Sequence, residues 1–359
     1  MIIDCHNHVL AAGLYPGYER FIKEMTVGYF QSTGDLPTDR PVRDEDWGEE
    51  LEYLWEPIPP EGLIDDHRSV GIDRSTVLTV APSTYTKYEQ RGTVDIAGVT
   101  DVEGPPSVDK ANDYMAALVR QYPDDLIGMA AVNPRFRGVD WALDELTRAV
   151  EDLGMTGLKL YPMYDHYAPN DPELGMPIFE RAAELGIGVM VHMSTTPVRD
   201  APLQLGWPVL LDDVARRFPE LRLLVCHAGF PWTDECLALV GRHENTYLDV
   251  SYFNSVLDRR ETYDFLQRAR RLGCNWTKIC WATDYPGFEM PRTLLPKFAL
   301  ANDIADEGAE IPATDMARML GGNWARFAGL DHWSETETLE QMEQWEDTWR
   351  EILVTDAVS

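Results

Sequence analysis

The chain begins MIIDCHNHVL, in which His6 and His8 are separated by a single residue. In an extended strand alternate side chains point to the same side, so both imidazoles would lie on one side of the strand. Two imidazoles placed in this way could bind a metal ion, although the pair is a weak signal by itself. Whether the pair does chemistry therefore depends on the partners that the rest of the chain supplies.

Four further residues that can bind metals occur in or directly after later apolar runs. Lys159 lies within GLKLYP, His192 closes GVMVH, His227 closes LLVCH and Asp284 follows ICWAT. Each of these residues, taken singly, is more often structural than functional. Together with the histidine pair they belong to five different runs, which predicts one shared metal site if the runs end at a common rim.

The runs predict parallel strands, because they are too apolar to alternate and so suit strands buried on both faces. Eight strands separated by helices predict an α/β fold, a (β/α)8 TIM barrel, whose active site lies at the carboxyl ends of the strands. A doubly wound sheet is the alternative, but it would normally carry a glycine-rich phosphate loop where DCHNH stands. The predicted strands are Ile2–Cys5, Ser75–Val80, Leu126–Val132, Gly157–Leu160, Gly188–His192, Leu221–Cys226, Tyr247–Val250 and Ile279–Ala282. The predicted helices are Asp109–Tyr122, Val139–Leu153, Met176–Leu185, Val209–Phe218, Asp234–Arg242, Arg260–Leu272 and Pro291–Ala305.

Two segments depart from this repeating pattern. Residues 10–66 separate the first two strands and are rich in proline, glycine, aspartate and aromatic residues. A connection of this length predicts a lid or a binding insert. Residues 331–359 are acidic and carry apolar residues at helical spacing, which predicts an amphipathic helix packed on the barrel or on a partner chain. We therefore expect a barrel over residues 1–330, followed by a helical tail.

The composition limits the partners and the cellular location. The chain has 61 acidic and 31 basic residues, a formal net charge of -30, which disfavours nucleic acids and anionic membranes as partners. No apolar run has the length of a membrane-spanning helix. Five cysteines without a CxxC pair predict a reduced, cytoplasmic protein. We expect a small-molecule substrate and a homo-oligomer, specifically a dimer.

Several motifs resemble those of the amidohydrolase superfamily, in the amidohydrolase 2 branch of metal-dependent hydrolases and decarboxylases. They are DCHNH, GLKLYP, VMVH, CHAGFPWTDE, TYLDVS, WATDYP and GGNWARFAGL, and they extend over the whole predicted barrel. The resemblance implies that His227 is an acid or base beside the metal and that Asp284 accepts a proton from metal-bound water. The ligand set that it implies for one Zn²⁺ ion is His6, His8, His192 and Asp284.

Lys159 has two alternative roles under this resemblance. In dinuclear amidohydrolases a lysine on the fourth strand is carboxylated by CO₂ and bridges two metals, and His192 and His227 then bind the second one. An unmodified ammonium has no lone pair to donate, so the bridge requires that modification. The other role for Lys159 is to bind the carboxylate of the substrate. We therefore expect one or two divalent ions, Zn²⁺ first, with Fe or Mn as alternatives.

Aromatic and basic residues near the strand ends suggest how the substrate binds. Tyr161, Trp232 and Tyr285 are candidates for lining a pocket for a flat or hydrophobic molecule. Arg199 and Arg292 are candidates for binding its carboxylate.

The expected function is hydrolysis of a small aromatic or hydrophobic carboxylate-type substrate by metal-activated hydroxide. HAGFPW favours this reaction, because decarboxylases of this branch often carry a glycine-rich run after the sixth strand. The alternatives are a non-oxidative decarboxylase of an aromatic or dienoic acid, a dinuclear iron oxygenase that uses O₂, and a binding barrel without catalytic activity.

Overall fold

Eight parallel strands form the centre of the computed structural model, and each is hydrogen bonded to the next in sequence. All eight predicted strands are present, and every observed end lies within two residues of the predicted one. The strands are β1 (Ile3–Asn7), β2 (Arg74–Leu78), β3 (Leu126–Ala131), β4 (Gly157–Leu160), β5 (Gly188–Val191), β6 (Leu223–Val225), β7 (Thr246–Asp249) and β8 (Ile279–Cys280). The structure describes residues 1–8, 23, 26–28, 30–31, 34–48, 60–79, 110–196, 198, 201–286 and 290–356.

The sheet closes between β1 and the segment that follows β8. His8 N donates to Tyr285 O over 2.8 Å, and Asp284 N donates to His6 O over 3.0 Å. These bonds bring the first and last strands together, as a barrel requires and a doubly wound sheet does not. The predicted TIM barrel is therefore confirmed.

Helices lie between the strands, and one occurs at each of the seven predicted positions. Residues 60–66 of the predicted insert belong to a helix, whereas most of residues 10–59 lie outside the described part of the chain. The helices are α1 (Pro60–Arg68), α2 (Ala111–Gln121), α3 (Pro134–Arg137), α4 (Val139–Glu151), α5 (Pro162–Asp165), α6 (Met176–Glu184), α7 (Leu211–Arg217), α8 (Thr233–Arg242), α9 (Arg259–Arg271), α10 (Pro291–Ala299), α11 (Ala313–Ala317), α12 (Asn323–Ala328) and α13 (Glu335–Asp356).

Side chains of the strands alternate between two apolar cores. In β5, Val189 and Val191 belong to the core between the strands and the helices, whereas Met190 belongs to the core inside the barrel. Met129 of β3 and Leu224 of β6 also lie in the inner core, and all five side chains are fully buried. Because both faces of the strands are covered, the strands are continuous apolar runs in the sequence.

The tail forms helix α13 and packs on the barrel beside the start of β2. Trp349 is 1% exposed and donates from Nε1 to Val70 O over 3.0 Å. Gln341 Nε2 donates to Gly71 O over 2.8 Å. The predicted helical tail is therefore present, and its apolar side chains cover the barrel.

None of the helices in the described ranges combines the length and apolar character that crossing a bilayer requires.

Candidate metal centre

Strand alternation directs two of the predicted ligands into the barrel. In β4, Leu158 and Leu160 belong to the outer core, so Lys159 between them points inward. Met190 of β5 belongs to the inner core, and His192 lies two residues further along the same side. The two-residue alternation of side chains along a strand is therefore sufficient to place both of them in the interior.

Two other histidines reach the interior through local irregularities of the backbone. Cys5 belongs to the inner core, so regular alternation would turn the next residue, His6, outward. The pairing of β1 with β2 shifts its register between Asp4 and Asn7, and such a shift changes which side chains face inward. His227 follows an inward-facing cysteine, and its φ of 60° redirects its side chain.

The ligand atoms of five predicted residues come together at this rim. His6 Nε2 and His8 Nε2 each lie 3.4 Å from Asp284 Oδ1. His227 Nε2 lies 3.0 Å from His192 Nδ1, and the rings of His6 and His227 have centroids 4.9 Å apart. The structure thus brings together residues from β1 and from the segments that follow β5, β6 and β8.

Asp249 and Ser251, at and just after the end of β7, support this cluster and had no role assigned in the sequence analysis. Asp249 Oδ2 lies 3.0 Å from His6 Nδ1, and Asp249 Oδ1 accepts from His227 N over 2.8 Å. Ser251 Oγ lies 3.0 Å from His6 Nδ1 and 2.9 Å from His227 Nδ1. TYLDVS contained the signal, an aspartate and a serine at the end of a predicted strand.

The hydrogen-bond network assigns the protons on the three buried histidines. His6 Nδ1 donates to the Asp249 carboxylate, which leaves its Nε2 with a lone pair. The Ser251 hydroxyl donates to Asp249 Oδ1, so both Ser251 Oγ, at 2.9 Å, and Ser251 O, at 3.3 Å, can only accept from His227 Nδ1, and this nitrogen carries the proton. His227 Nε2 then accepts from His192 Nδ1 over 3.0 Å. His192 Nε2 is left unprotonated, and it is buried without a hydrogen-bond partner among the residues that the structure describes.

Burial and charge set the protonation states of these groups. Burial lowers the pKa of His227 to about 3, with Asp284 opposing the shift. Burial also lowers the pKa of His192 well below its ordinary value, and it lowers the pKa of His6, where the charge of Lys159 adds to the effect. At neutral pH the imidazoles are therefore neutral and have lone pairs available for a metal.

The two neighbouring carboxyl groups are ionised. Burial alone would raise the pKa of Asp284 and of Asp249, but the adjacent histidines outweigh it. The pKa of each carboxyl is consequently held well below its usual range.

The donor set fits a divalent metal ion. With metal–ligand bonds of about 2.0–2.1 Å, two ligand atoms of a tetrahedral site lie roughly 3.3–3.4 Å apart. His6 Nε2 and His8 Nε2 each stand at 3.4 Å from Asp284 Oδ1. The unpartnered Nε2 of His192 is a further lone pair that requires a partner.

Lys159 lies beside Nε2 of His6, the nitrogen with the free lone pair. Its Nζ is 3.3 Å from His6 Nε2 and 2.9 Å from Cys226 Sγ, and it lies 5.1 Å from the centroid of the Tyr161 ring. The side chain is fully buried, and among the described residues no carboxylate forms an ion pair with it. Its two hydrogen-bond partners are therefore uncharged groups, and the nearest carboxylate that its charge acts on, Asp249, lies on the far side of His6.

A second buried network anchors the ends of β1 and β8 to each other. The Asp4 carboxylate accepts from Thr283 N over 3.2 Å and from Thr283 Oγ1 over 2.5 Å. His67 Nε2 of helix α1 lies 2.9 Å from Asp4 Oδ2. Because Asp4 precedes His6 and Thr283 precedes Asp284, this network holds together two segments that carry predicted metal ligands.

The family model for amidohydrolases matches residues 3–330. This chain belongs to the amidohydrolase family. The resemblance of its motifs to that family is confirmed by a match over nearly the whole chain.

Solved structures similar to this amidohydrolase include decarboxylases and a hydrolase. Dihydroxybenzoic acid decarboxylase from a Polaromonas species, with bound manganese and the inhibitor 2-nitroresorcinol, is 17% identical with a TM-score of 0.58, over 93% of this chain and 98% of that one. 5-Carboxyvanillate decarboxylase from Sphingomonas paucimobilis is 17% identical with a TM-score of 0.56, over 91% and 98%. A probable 2-pyrone-4,6-dicarboxylic acid hydrolase from Acinetobacter baumannii, with citric acid bound, is 15% identical with a TM-score of 0.54, over 92% and 99%. At these identities the similarity shows the fold.

Aromatic side chains of this amidohydrolase line one side of the histidine cluster. The Tyr161 ring stacks on His192 with centroids 6.4 Å apart, and the Tyr164 ring lies 5.0 Å from His192. Tyr164 Oη donates to Thr196 Oγ1 over 2.9 Å. Trp232 is half-buried at the start of helix α8. Tyr161 thus lies beside the cluster, and its role in substrate binding stays a prediction.

The remaining proposed substrate residues lie elsewhere or outside the described part of the chain. Tyr285 donates from Oη to Asp66 Oδ2 over 2.7 Å, and its side chain is buried in the core beside helix α1. Because that hydroxyl is bound on the helix side, the structure does not bring Tyr285 to the ligand atoms. Arg292 is exposed on the first turn of helix α10. Arg199 lies outside the described residues.

Proposed function

We propose that this amidohydrolase is a metal-dependent, non-oxidative decarboxylase of an aromatic carboxylic acid. The buried ammonium of Lys159 carries the proposal. The side chain is fully buried and its hydrogen-bond partners are His6 and Cys226, neither of them an anion, so its charge would be stabilised by an anion in direct contact. A substrate carboxylate beside Lys159 would supply that anion.

The aromatic character of the substrate is supported by the side chains around Lys159. Tyr161 and Tyr164 both contact His192, so a flat ring bound at the cluster would meet aromatic surface. Two similar structures are decarboxylases named for aromatic acids. The sequence favoured hydrolysis, but these structures support the decarboxylase alternative better.

A divalent ion, Mn²⁺ or Zn²⁺, would be held by His6, His8, His192 and Asp284. The lone pairs on His6 Nε2 and His192 Nε2 and the ionised Asp284 carboxylate suit such an ion. When bound, the ion supplies positive charge that orients the oxygen atoms of the substrate and stabilises negative charge on them. Manganese is the metal bound in the similar Polaromonas decarboxylase.

The residues of the chain would position the acid and move one proton. Lys159 binds the carboxylate, and the aromatic walls hold the ring while excluding water from the reacting carbon. The bond between that carbon and the carboxylate breaks, CO₂ leaves, and the carbon accepts a proton. The proton comes from water, and we assign its transfer to the carbon to Asp284 and His227, because Oδ2 of the carboxylate lies 3.9 Å from Nδ1 of the imidazole.

Release of CO₂ tests this proposal. The Mn²⁺-loaded and Zn²⁺-loaded enzymes are incubated with a set of hydroxybenzoic acids, and CO₂ is measured together with the decarboxylated product. In D₂O the product should carry one deuterium at the carbon that lost the carboxylate. Turnover of an ester or lactone without release of CO₂ from any acid would contradict the proposal.

Hydrolysis is a second candidate, favoured by two observations. HAGFPW occupies the position after the sixth strand at which decarboxylases of this branch often carry a glycine-rich run. The similar Acinetobacter protein is a probable hydrolase of a pyrone dicarboxylic acid. Incubation with 2-pyrone-4,6-dicarboxylate in H₂¹⁸O distinguishes the reactions, because hydrolysis places ¹⁸O in the opened acid and releases no CO₂.

A further inference from the structure

Tyr252, just after β7, has an unusual backbone conformation. Its φ is 51° and its ψ is -53°, and Phe253 N donates to Ser251 O across it, which closes a γ-turn. His227 and Ala228 also have positive φ, but their ψ angles of 30° and 24° place them in the ordinary left-handed region. A γ-turn with positive φ is rare and strained for a residue with a side chain.

The residues on both sides of Tyr252 maintain this conformation. Before it, Ser251 is fixed by Oγ contacts to His6 Nδ1 and His227 Nδ1 of 3.0 Å and 2.9 Å. After it, Phe253 is 6% exposed and its ring lies 4.8 Å from that of Phe265. Because both neighbours are held, the chain between them must turn within one residue.

The turn directs the Tyr252 ring toward the metal centre. The ring lies edge to face with His227 at 6.2 Å and with Phe230 at 6.0 Å between centroids. Tyr252 is half-buried rather than enclosed in the core. Burial raises the pKa of its hydroxyl, and the nearby charge of Asp284 adds to the effect, so the phenol stays neutral.

Strain of this kind persists where the position of a side chain matters for function. We propose that Tyr252 contacts the ring of the substrate beside His227 and makes the site selective for planar aromatic acids. This inference rests on the proposed function and adds a specificity-determining residue to it. Tyr161 and Tyr164 line the His192 side of the cluster, and Tyr252 lines the His227 side.

Two substitutions separate the effect of the strained backbone at Tyr252 from the effect of its ring on substrate binding. Tyr252→Ala and Tyr252→Gly both remove the ring, but only glycine adopts positive φ without strain. We expect both variants of the Mn²⁺-loaded protein to bind 2,6-dihydroxybenzoate roughly three- to tenfold more weakly by calorimetry, as loss of an aromatic pair predicts. Binding of cyclohexanecarboxylate, which has the same charge and no aromatic ring, should not change. The glycine variant should unfold at a higher temperature than the alanine variant.

Tyr122→Ala is the matched control, because Tyr122 follows helix α2 and pairs with Glu61 at the end of the barrel opposite the site. Unchanged binding of 2,6-dihydroxybenzoate in both Tyr252 variants would overturn the assignment of this residue. Equal melting temperatures of the alanine and glycine variants would show that the backbone at Tyr252 is not strained. The assignment depends on that strain and would be overturned. If the wild-type enzyme binds no hydroxybenzoate, the proposed substrate class is wrong and the assignment fails with it.

Discussion

Replacement of Asp249 by asparagine tests whether this carboxylate sets the tautomer of His6, a proposed metal ligand. Asp249 Oδ2 accepts from His6 Nδ1 over 3.0 Å, which leaves Nε2 of His6 unprotonated. In Asp249→Asn, an amide NH₂ group takes the place of Oδ2 if the remaining oxygen keeps its other bonds. His6 Nδ1 then becomes the acceptor, and the proton moves to Nε2, the nitrogen that faces Asp284 Oδ1.

The expected losses of stability and metal affinity in Asp249→Asn follow from which hydrogen bonds of Asp249 are lost and which are kept. Asp249 Oδ1 accepts from His227 N over 2.8 Å and from Ser251 N over 3.1 Å, and the amide oxygen can keep both. The loss of stability is therefore limited to one hydrogen bond to a charged group, about 1.5–3 kcal/mol. Metal affinity should fall by about 10- to 100-fold, because an orienting partner of a ligand is lost.

Competition with a coloured chelator gives the dissociation constants for Mn²⁺ and Zn²⁺, and urea unfolding of the metal-free protein gives the stability. Asp212→Asn is the matched control, because Asp212 Oδ1 lies 2.7 Å from His243 Nε2 in a half-buried pair outside the cluster. The control should retain wild-type metal affinity. Wild-type affinity in Asp249→Asn would refute the tautomer argument, and an equal loss in both variants would show that the effect is not specific to the cluster.

Three further predictions concern pH, the buried lysine and the tail. The pKa of His227 falls from its ordinary 6.5 in the unfolded chain to about 3 on folding, so its contribution to stability is lost as the pH falls from 6.5 toward 3. Urea unfolding of the metal-free protein should show about 2 kcal/mol less stability at pH 5 than at pH 8 from this group, and a His227→Gln variant should lose that dependence. Lys159→Met should lower kcat/KM for an aromatic acid by at least about 30-fold without lowering the melting temperature, because a buried charge without an ion pair is removed. A large drop in melting temperature with unchanged kinetics would contradict the role assigned to Lys159. Trp349→Ala should destabilise the protein by about 3–5 kcal/mol in urea unfolding and leave metal affinity unchanged, and unchanged stability would show that the tail does not support the barrel.

Sequence patterns predicted the barrel because the strands are apolar on both faces and end in residues that can bind metals. The two-residue repeat of side-chain direction in a strand also puts Lys159 and His192 at inward-facing positions of β4 and β5. The two histidines at the start of the chain were also recognised, since their side chains were expected on one side of a strand. Both lie at 3.4 Å from the same oxygen of Asp284.

Other parts of the site could not be read from strand periodicity. Tyr285 follows Asp284 directly, yet its hydroxyl bonds to Asp66 of helix α1 and its ring packs away from the ligand atoms. Asp249 and Ser251 stood in a recognised motif, but their contacts join β7 to histidines far away in the chain. Hydrogen bonds of this kind depend on which strands become neighbours.

The eight strands, the helical tail and the residue types from which a metal site can be built were all predictable from the amino-acid sequence. These features depend on local patterns of apolar and polar residues. The orientation and protonation of the groups depend instead on tertiary contacts. The register shift in β1 turns His6 inward, the left-handed backbone redirects His227, and the Asp249 carboxylate fixes the proton on His6. Each of these depends on the closing of the barrel, which brings the ends of distant strands within hydrogen-bonding distance.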